Sequence, residues 1–259
     1  AAPVTGTTTP VLESPGHLSI LQENNGSLVL SGELPNARRP APLGKPGEQL
    51  YASRFIDKRG FLVTYRLTDP LYVLDLSNPT DPFISGELQV SGYSDYLFPL
   101  SETLLLGVGK EATSDAGSGD GRFAWYQGVK LSLIDLTDPS RPVEAARSII
   151  GKRGTDATVL HNHHGIAIAT SGSKVRVGLP VNLHDTAPQP ITGAASDYYR
   201  FTRSELQKFD IDLGQKSLNA RPALPSGIAA ERDISNDRSI LWNDQVHYYQ
   251  DGVWRSGMW

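Results

Sequence analysis

The strongest constraint in this chain of 259 residues is a block that occurs twice. Leu71-Tyr72-Val73-Leu74-Asp75-Leu76-Ser77-Asn78-Pro79-Thr80-Asp81-Pro82 matches Leu131-Ser132-Leu133-Ile134-Asp135-Leu136-Thr137-Asp138-Pro139-Ser140-Arg141-Pro142, 60 residues further on. Each is an apolar strand ending in Asp, then an apolar residue, Ser or Thr, Asn or Asp, Pro, two free positions and Pro. The alternating strand suits a sheet with packed faces. The short polar side chains close a turn and proline withdraws a ladder donor, so the strand carries its own stop.

Fainter copies flank the block. Leu206-Gln207-Lys208-Phe209-Asp210-Ile211-Asp212 repeats the strand, with Asp210 aligned to Asp75 and Asp135. Ser31-Gly32-Glu33-Leu34 and Ser85-Gly86-Glu87-Leu88 are identical, each downstream of an apolar strand. The polar, Gly-rich residues 112–121 read as a loop insertion, and without them the period falls to about 45–50, the size of a four-stranded unit. In the first unit the other strands are residues 50–56, 61–65 and 83–90; in the second, residues 143–150 follow the block. Four strands per unit predict an all-β fold, a β-propeller of four-stranded blades. The blades span residues 47–90, 93–150 and about 155–224, the last interrupted by a polar stretch near 182–196. Residues 17–34 and 238–259 supply partial blades, the latter with strands at 239–242 and 246–249. The expectation is about three full blades plus partial blades at both ends. No segment reads as a helix, and the repeat makes residues 204–209 strand.

Bulk properties narrow the function classes. No apolar run approaches the ~20 residues of a membrane-spanning helix. The formal charge is −4 and the basic residues are scattered, which argues against a nucleic-acid partner. Cysteine is absent, which removes disulfides, thiolate chemistry and Cys-based metal centres. Residues 1–15 are small, polar and Pro-bearing, and read as a flexible leader or linker before a propeller domain, or part of a larger propeller, at 16–259.

Gly47-Glu48-Gln49-Leu50-Tyr51-Ala52-Ser53-Arg54-Phe55, residues 61–65, and Asp69-Pro70-Leu71-Tyr72-Val73-Leu74-Asp75-Leu76-Ser77 form an ordered series. It continues through Gly86-Glu87-Leu88, Gly92-Tyr93-Ser94-Asp95-Tyr96-Leu97, Leu106-Gly107-Val108-Gly109-Lys110 and Gly128-Val129-Lys130-Leu131-Ser132-Leu133-Ile134-Asp135. The series resembles the secreted bacterial and archaeal β-propeller family distantly related to WD-type repeats. It is densest over residues 47–165. The resemblance implies export, to the exterior, periplasm or cell envelope, and a propeller that is commonly the C-terminal part of a longer chain. It supplies no catalytic residues. This chain is short for that pattern. Further blades on the same or another chain would complete it, or the two partial blades would join to close a small ring.

Candidate sites are few. His161-Asn162-His163-His164 is the one histidine cluster. In a strand, His161 and His163 would share a face and could reach one metal, with a third ligand from His184, Asp185 or His247. The competing reading is a polar strand end. Ser114-Asp115-Ala116-Gly117-Ser118-Gly119-Asp120-Gly121 is oxygen-rich like a Ca²⁺ loop but lacks EF-hand spacing and the terminal Glu. Asp75, Asp135 and Asp210 read as turn caps rather than channel carboxylates. Gly107-Val108-Gly109-Lys110 lacks P-loop spacing, and no nucleophile elbow occurs. Trp125-Tyr126, Tyr198-Tyr199, Tyr248-Tyr249, Trp254 and Trp259 offer aromatic surface for packing or a partner. The expectation is a non-enzymatic binding or scaffold module with a protein partner, or the remaining blades on another chain. It has no catalytic residues and no cofactor, with Ca²⁺ or a transition metal as the open possibility. The alternative is a metal-dependent protein built on the histidine cluster.

Overall fold

A computed structural model describes residues 16–45, 48–65, 69–114 and 124–259. β1 (Leu18–Asn24) and β2 (Ser27–Leu34) form a hairpin. β3 (Gln49–Ile56), β4 (Arg59–Tyr65), β5 (Asp69–Asp75) and β6 (Phe83–Val90) form the first full blade, an antiparallel meander. β7 (Tyr93–Ser101), β8 (Leu104–Ser114), β9 (Ala124–Asp135) and β10 (Val143–Ile150) form the second. In the third, β11 (Asp156–Ala157) and β12 (Ala167–Ser171) share the partner β13 (Lys174–Thr186), followed by β14 (Arg200–Asp212) and β15 (Ser217–Pro225). β16 (Arg238–Trp242), β17 (Gln245–Gln250) and β18 (Val253–Met258) make a three-stranded sheet. First strands of neighbouring blades touch, β3 against β7, while the fourth strands β6, β10 and β15 meet at the other edge. The sheets therefore stack like blades, with an inner and an outer rim.

The middle strands are buried on both faces. Leu71 and Val73 pack toward the second blade with Leu97, Leu105, Ile134 and Leu136. Tyr72 and Leu74, on the other face of β5, pack toward the hairpin with Leu34 and Leu43. Leu131 and Leu133 join Val175, Val177, Leu179, Phe209 and Ile211 between the second and third blades. Leu206, Val246 and Tyr248 join the third blade to the last sheet. A strand covered on both sides is why these segments read as nearly continuous apolar runs.

The repeated block is a blade-joining device. Asp75 Oδ1 accepts from Ser77 N at 2.8 Å and Ser77 Oγ at 2.5 Å. Asp135 Oδ1 does the same with Thr137, at 2.9 and 2.6 Å. The next amides, of Leu76 and Leu136, donate to Lys58 O and Thr103 O at 2.8 Å. The third copy is Asp212, not Asp210: its Oδ1 accepts from Gly214 N and Gln215 N, and Leu213 N donates to Ser173 O. Asp210 instead accepts from Trp259 Nε1 at 2.6 Å. A two-residue slip leaves each side chain on the same face, so apolar alternation could not expose it.

The Ser-Gly-Glu-Leu repeat is the other half of the joint. A Cβ on Gly32 would stand 2.1 Å from Pro79 O, and one on Gly86 2.2 Å from Pro139 O. The outer strand of one blade thus seats the proline turn of the next. At the following junction glycine and proline turn are both missing. There Lys216 of the third blade reaches Asp135 Oδ2 at 2.6 Å and Thr137 Oγ1 at 2.9 Å.

Three expectations change. Asn182, Leu183 and His184 belong to β13 and are buried, so the interruption of the third blade is confined to residues 187–199. The histidine cluster is not strand: residues 158–165 form two 3-10 turns, Thr158–Leu160 and His163–Gly165. The two partial blades do not join; among the described residues no strand of β1–β2 pairs with β16–β18. Of the suggested calcium loop, residues 114–121, all but Ser114 at the end of β8 lie outside the described residues, as does the suggested leader, 1–15.

Both end sheets show an apolar face to solvent. Leu18 and Leu34 pair on the face that meets the first blade. The bulge after Ile20 puts Leu21, Leu30 and Leu28 on the opposite face, where Leu28 is 70% exposed. In the last sheet Leu241, Val246 and Tyr248 face the third blade. On the other side Ile240, Trp242, Trp254 and Met258 are exposed, Trp242 by 66%.

Candidate functional site

The inner rim between the second and third blades gathers the charged groups. On β7 the register breaks at Asp95, because Ser94 pairs with Gly109 and Tyr96 with Val108. Glycine permits this approach: a Cβ on Gly109 would stand 1.8 Å from Tyr93 O. Bulges re-aim side chains, and this one turns Asp95 toward the rim. Lys110 follows directly, its Nζ donating to Thr155 O and lying 3.8 Å from Asp156 Oδ1. Asp156 Oδ2 contacts His161 Nε2 at 2.7 Å. Burial pushes the Asp95 carboxyl up to about 6, with His161 and Lys110 opposing the rise and Asp156 adding to it. Burial also lowers the Lys110 ammonium, against Asp156 and Asp95.

A cleft of about 460 Å³ opens beside this cluster, walled by Lys110, Asp156 and His161, by Tyr126, Arg153 and Tyr198, and by residues 231–235 ahead of β16. Arg232, on this wall, is tied into a buried polar network. Arg232 and the Tyr248 hydroxyl both donate to Asp237 Oδ2 at 2.5 Å, and Gln250 Nε2 donates to Ser226 O. Burial raises the Tyr248 pKa, so this hydroxyl stays a donor. Arg153 stands over the Trp125 ring at 4.4 Å and 5.7 Å from the Tyr198 ring. A second cleft, of about 640 Å³, lies at the opposite ends of the strands between the turns at Asp57-Lys58 and Ser101-Glu102.

The suggested metal ligands are dispersed. His161 lines the cleft with Asp156, whereas the His163 ring lies against His164, centroids 4.4 Å apart. His184 is buried, with Nδ1 on Tyr199 O and Nε2 on Glu231. Asp185 takes the Thr202 hydroxyl, and His247 contacts Ser256 on the far sheet. Among the described residues no group of three or more His, Cys, Asp or Glu has metal-holding geometry. Asp95, Lys110, Arg153 and Asp156 were missed in the sequence. The one available signal was a lysine ending the apolar run of residues 104–108 beside two glycines, a polar group in a strand otherwise built for burial.

Meanders of four strands, stacked with first strands inward and fourth strands outward, define a β-propeller architecture, here an open one. The family model described as Beta propeller domain matches residues 4–256, and the chain belongs to that family. An uncharacterized protein of Archaeoglobus fulgidus is 42% identical over 121 residues, 47% of this chain and 17% of that protein. One from Methanocaldococcus jannaschii is 38% identical over 120 residues, 46% of this chain and 17% of its own. The matched stretches thus span a small part of those relatives. Among solved structures an ACO/RPE65 chimera aligns over 82% of this chain and 49% of its own, at 9% identity and TM-score 0.36. That likeness bears no weight here.

Proposed function

We propose that this chain is an exported, non-enzymatic binding or scaffold module of the cell envelope or exterior, acting as one arc of a propeller completed by further blades. One observation carries the reading: each end sheet packs one face on the arc and presents the other, apolar face uncovered. An apolar sheet face demands a neighbour, since each large side chain left in water forgoes about 1.5–3 kcal/mol of burial. Blades of the same kind are the fitting occupant. Each internal junction of this arc is already such a contact, sheet on sheet through alternating apolar residues. Export rests on the resemblance borne by residues 47–165. Native mass spectrometry of the protein isolated from envelope and secreted fractions is the test. A larger species containing these blades, on one polypeptide or two, is expected. A free 28.1 kDa monomer, or a protein confined to the cytosol, would contradict the reading.

A further inference from the structure

The cleft at the inner rim contains a cation without an anion. Lys110 and His161 share Asp156, Arg232 is held by Asp237, Glu231 meets His184, and Asp233, also on the wall, accepts from Ser235 N. Arg153 has no carboxylate partner among the described residues. Its NH1 donates to Tyr126 O at 3.4 Å, and its Nε is buried with no hydrogen-bond acceptor. A half-buried guanidinium supported on aromatic rings yet lacking its anion is a poor structural choice, because desolvated charge is costly unless paired. It is a good receptor, because the planar fork matches a carboxylate in two parallel hydrogen bonds. Stacking on Trp125 holds the fork in one plane before any ligand arrives.

The rest of the cleft indicates the size and character of the ligand. About 460 Å³ suits a small molecule rather than a chain. Tyr198, 57% exposed, offers an aromatic ring to C–H groups, while Asp156 and His161 on the same lining supply an acceptor and a ring nitrogen. One cation, one aromatic ring and mixed polar groups describe a receptor for a sugar acid. We infer that the cleft binds a monosaccharide-sized ligand bearing a carboxylate, with the Arg153 guanidinium as the seat of that carboxylate. This goes beyond the assembly reading and stands on groups away from the uncovered end faces.

The probes are D-glucuronate, D-glucose and acetate, titrated by calorimetry into the 259-residue chain. NMR follows the Arg153 Nε–Hε resonance, which its burial should protect from exchange. Glucuronate should bind saturably and shift that resonance, with glucose and acetate each at least about tenfold weaker, or about 1.4 kcal/mol. Arg153→Lys keeps the charge but loses the fork, and should weaken glucuronate about tenfold with no change in melting temperature. Glucose binding equally well would overturn the carboxylate seat, and acetate binding equally well would overturn the sugar-sized cleft. Absence of saturable glucuronate binding by a folded chain would overturn the proposal outright. Sedimentation of the same sample reports the assembly reading separately, so failure of one leaves the other readable.

Discussion

At Gly86 a single hydrogen in place of a Cβ decides whether two blades can touch. The Cβ of alanine would stand 2.2 Å from Pro139 O and 2.9 Å from the Pro142 ring, both on a turn with no slack. Gly86→Ala should therefore destabilise the chain by roughly 2–3 kcal/mol in urea denaturation. Gly214→Ala, whose Cβ would meet only Asp212 Oδ1 at 3.4 Å, should change it by less than about 0.5 kcal/mol. Equal effects at the two sites would show that the glycine does not set the junction. Asp95 gives a second prediction at this scale. Its folded-state pKa is raised to about 6 by burial, so between about pH 4 and 6 the folded protein holds more protons than the unfolded chain. Asp95 therefore makes stability fall as pH rises across that window. Asp95→Asn should remove that slope and stabilise the protein at pH above 7 by on the order of 1 kcal/mol, discounted for partial exposure. Denaturation curves at pH 4 and pH 7.5 check it; a variant less stable than the parent at the higher pH would contradict the assignment.

Among elements, the junction between the second and third blades lacks the glycine–proline joint, and Lys216 stands in for it. Burial pushes the Asp135 carboxyl up, but the hydrogen bonds from Lys216 and Thr137 outweigh it and hold the pKa below the usual carboxylate range. Lys216→Met should cost roughly 1 kcal/mol near neutral pH. Because a depressed carboxylate contributes stability only above its unfolded pKa, that difference should shrink as pH falls below about 4. A pH-independent loss in thermal melts would assign the effect to packing instead. The legibility of the elements follows the same physics. Strands β6 and β10 lie where the repeat placed them, because a strand ended by Asp, Ser or Thr and proline announces its own boundary. His161 to His164 were misread as strand because strand identity there had no repeat to fix it, and Gly165 closes against Thr158 to form turns instead. Asp95, Lys110 and Arg153 come together only through a bulge and a blade contact, which no spacing along the chain encodes.

At the scale of the molecule, four apolar clusters among the described residues join five sheets in chain order, and there the end sheets do not pair with each other. The propeller architecture and blade order were readable from repetition, since the first two full blades carry the same strand and turn contacts. Whether the arc closes was not, because it depends on the two end faces meeting. Those faces, with Leu28 and Leu30 at one end and Trp242 and Met258 at the other, leave the arc open to association. Sedimentation equilibrium of the chain and of its Leu28→Glu/Trp242→Glu variant tests it most directly. The uncovered faces should make the parent associate as concentration rises, and the variant, charged on both faces but unchanged in melting temperature, should remain monomeric. A parent that is monomeric at all concentrations and binds no hydrophobic dye would contradict it.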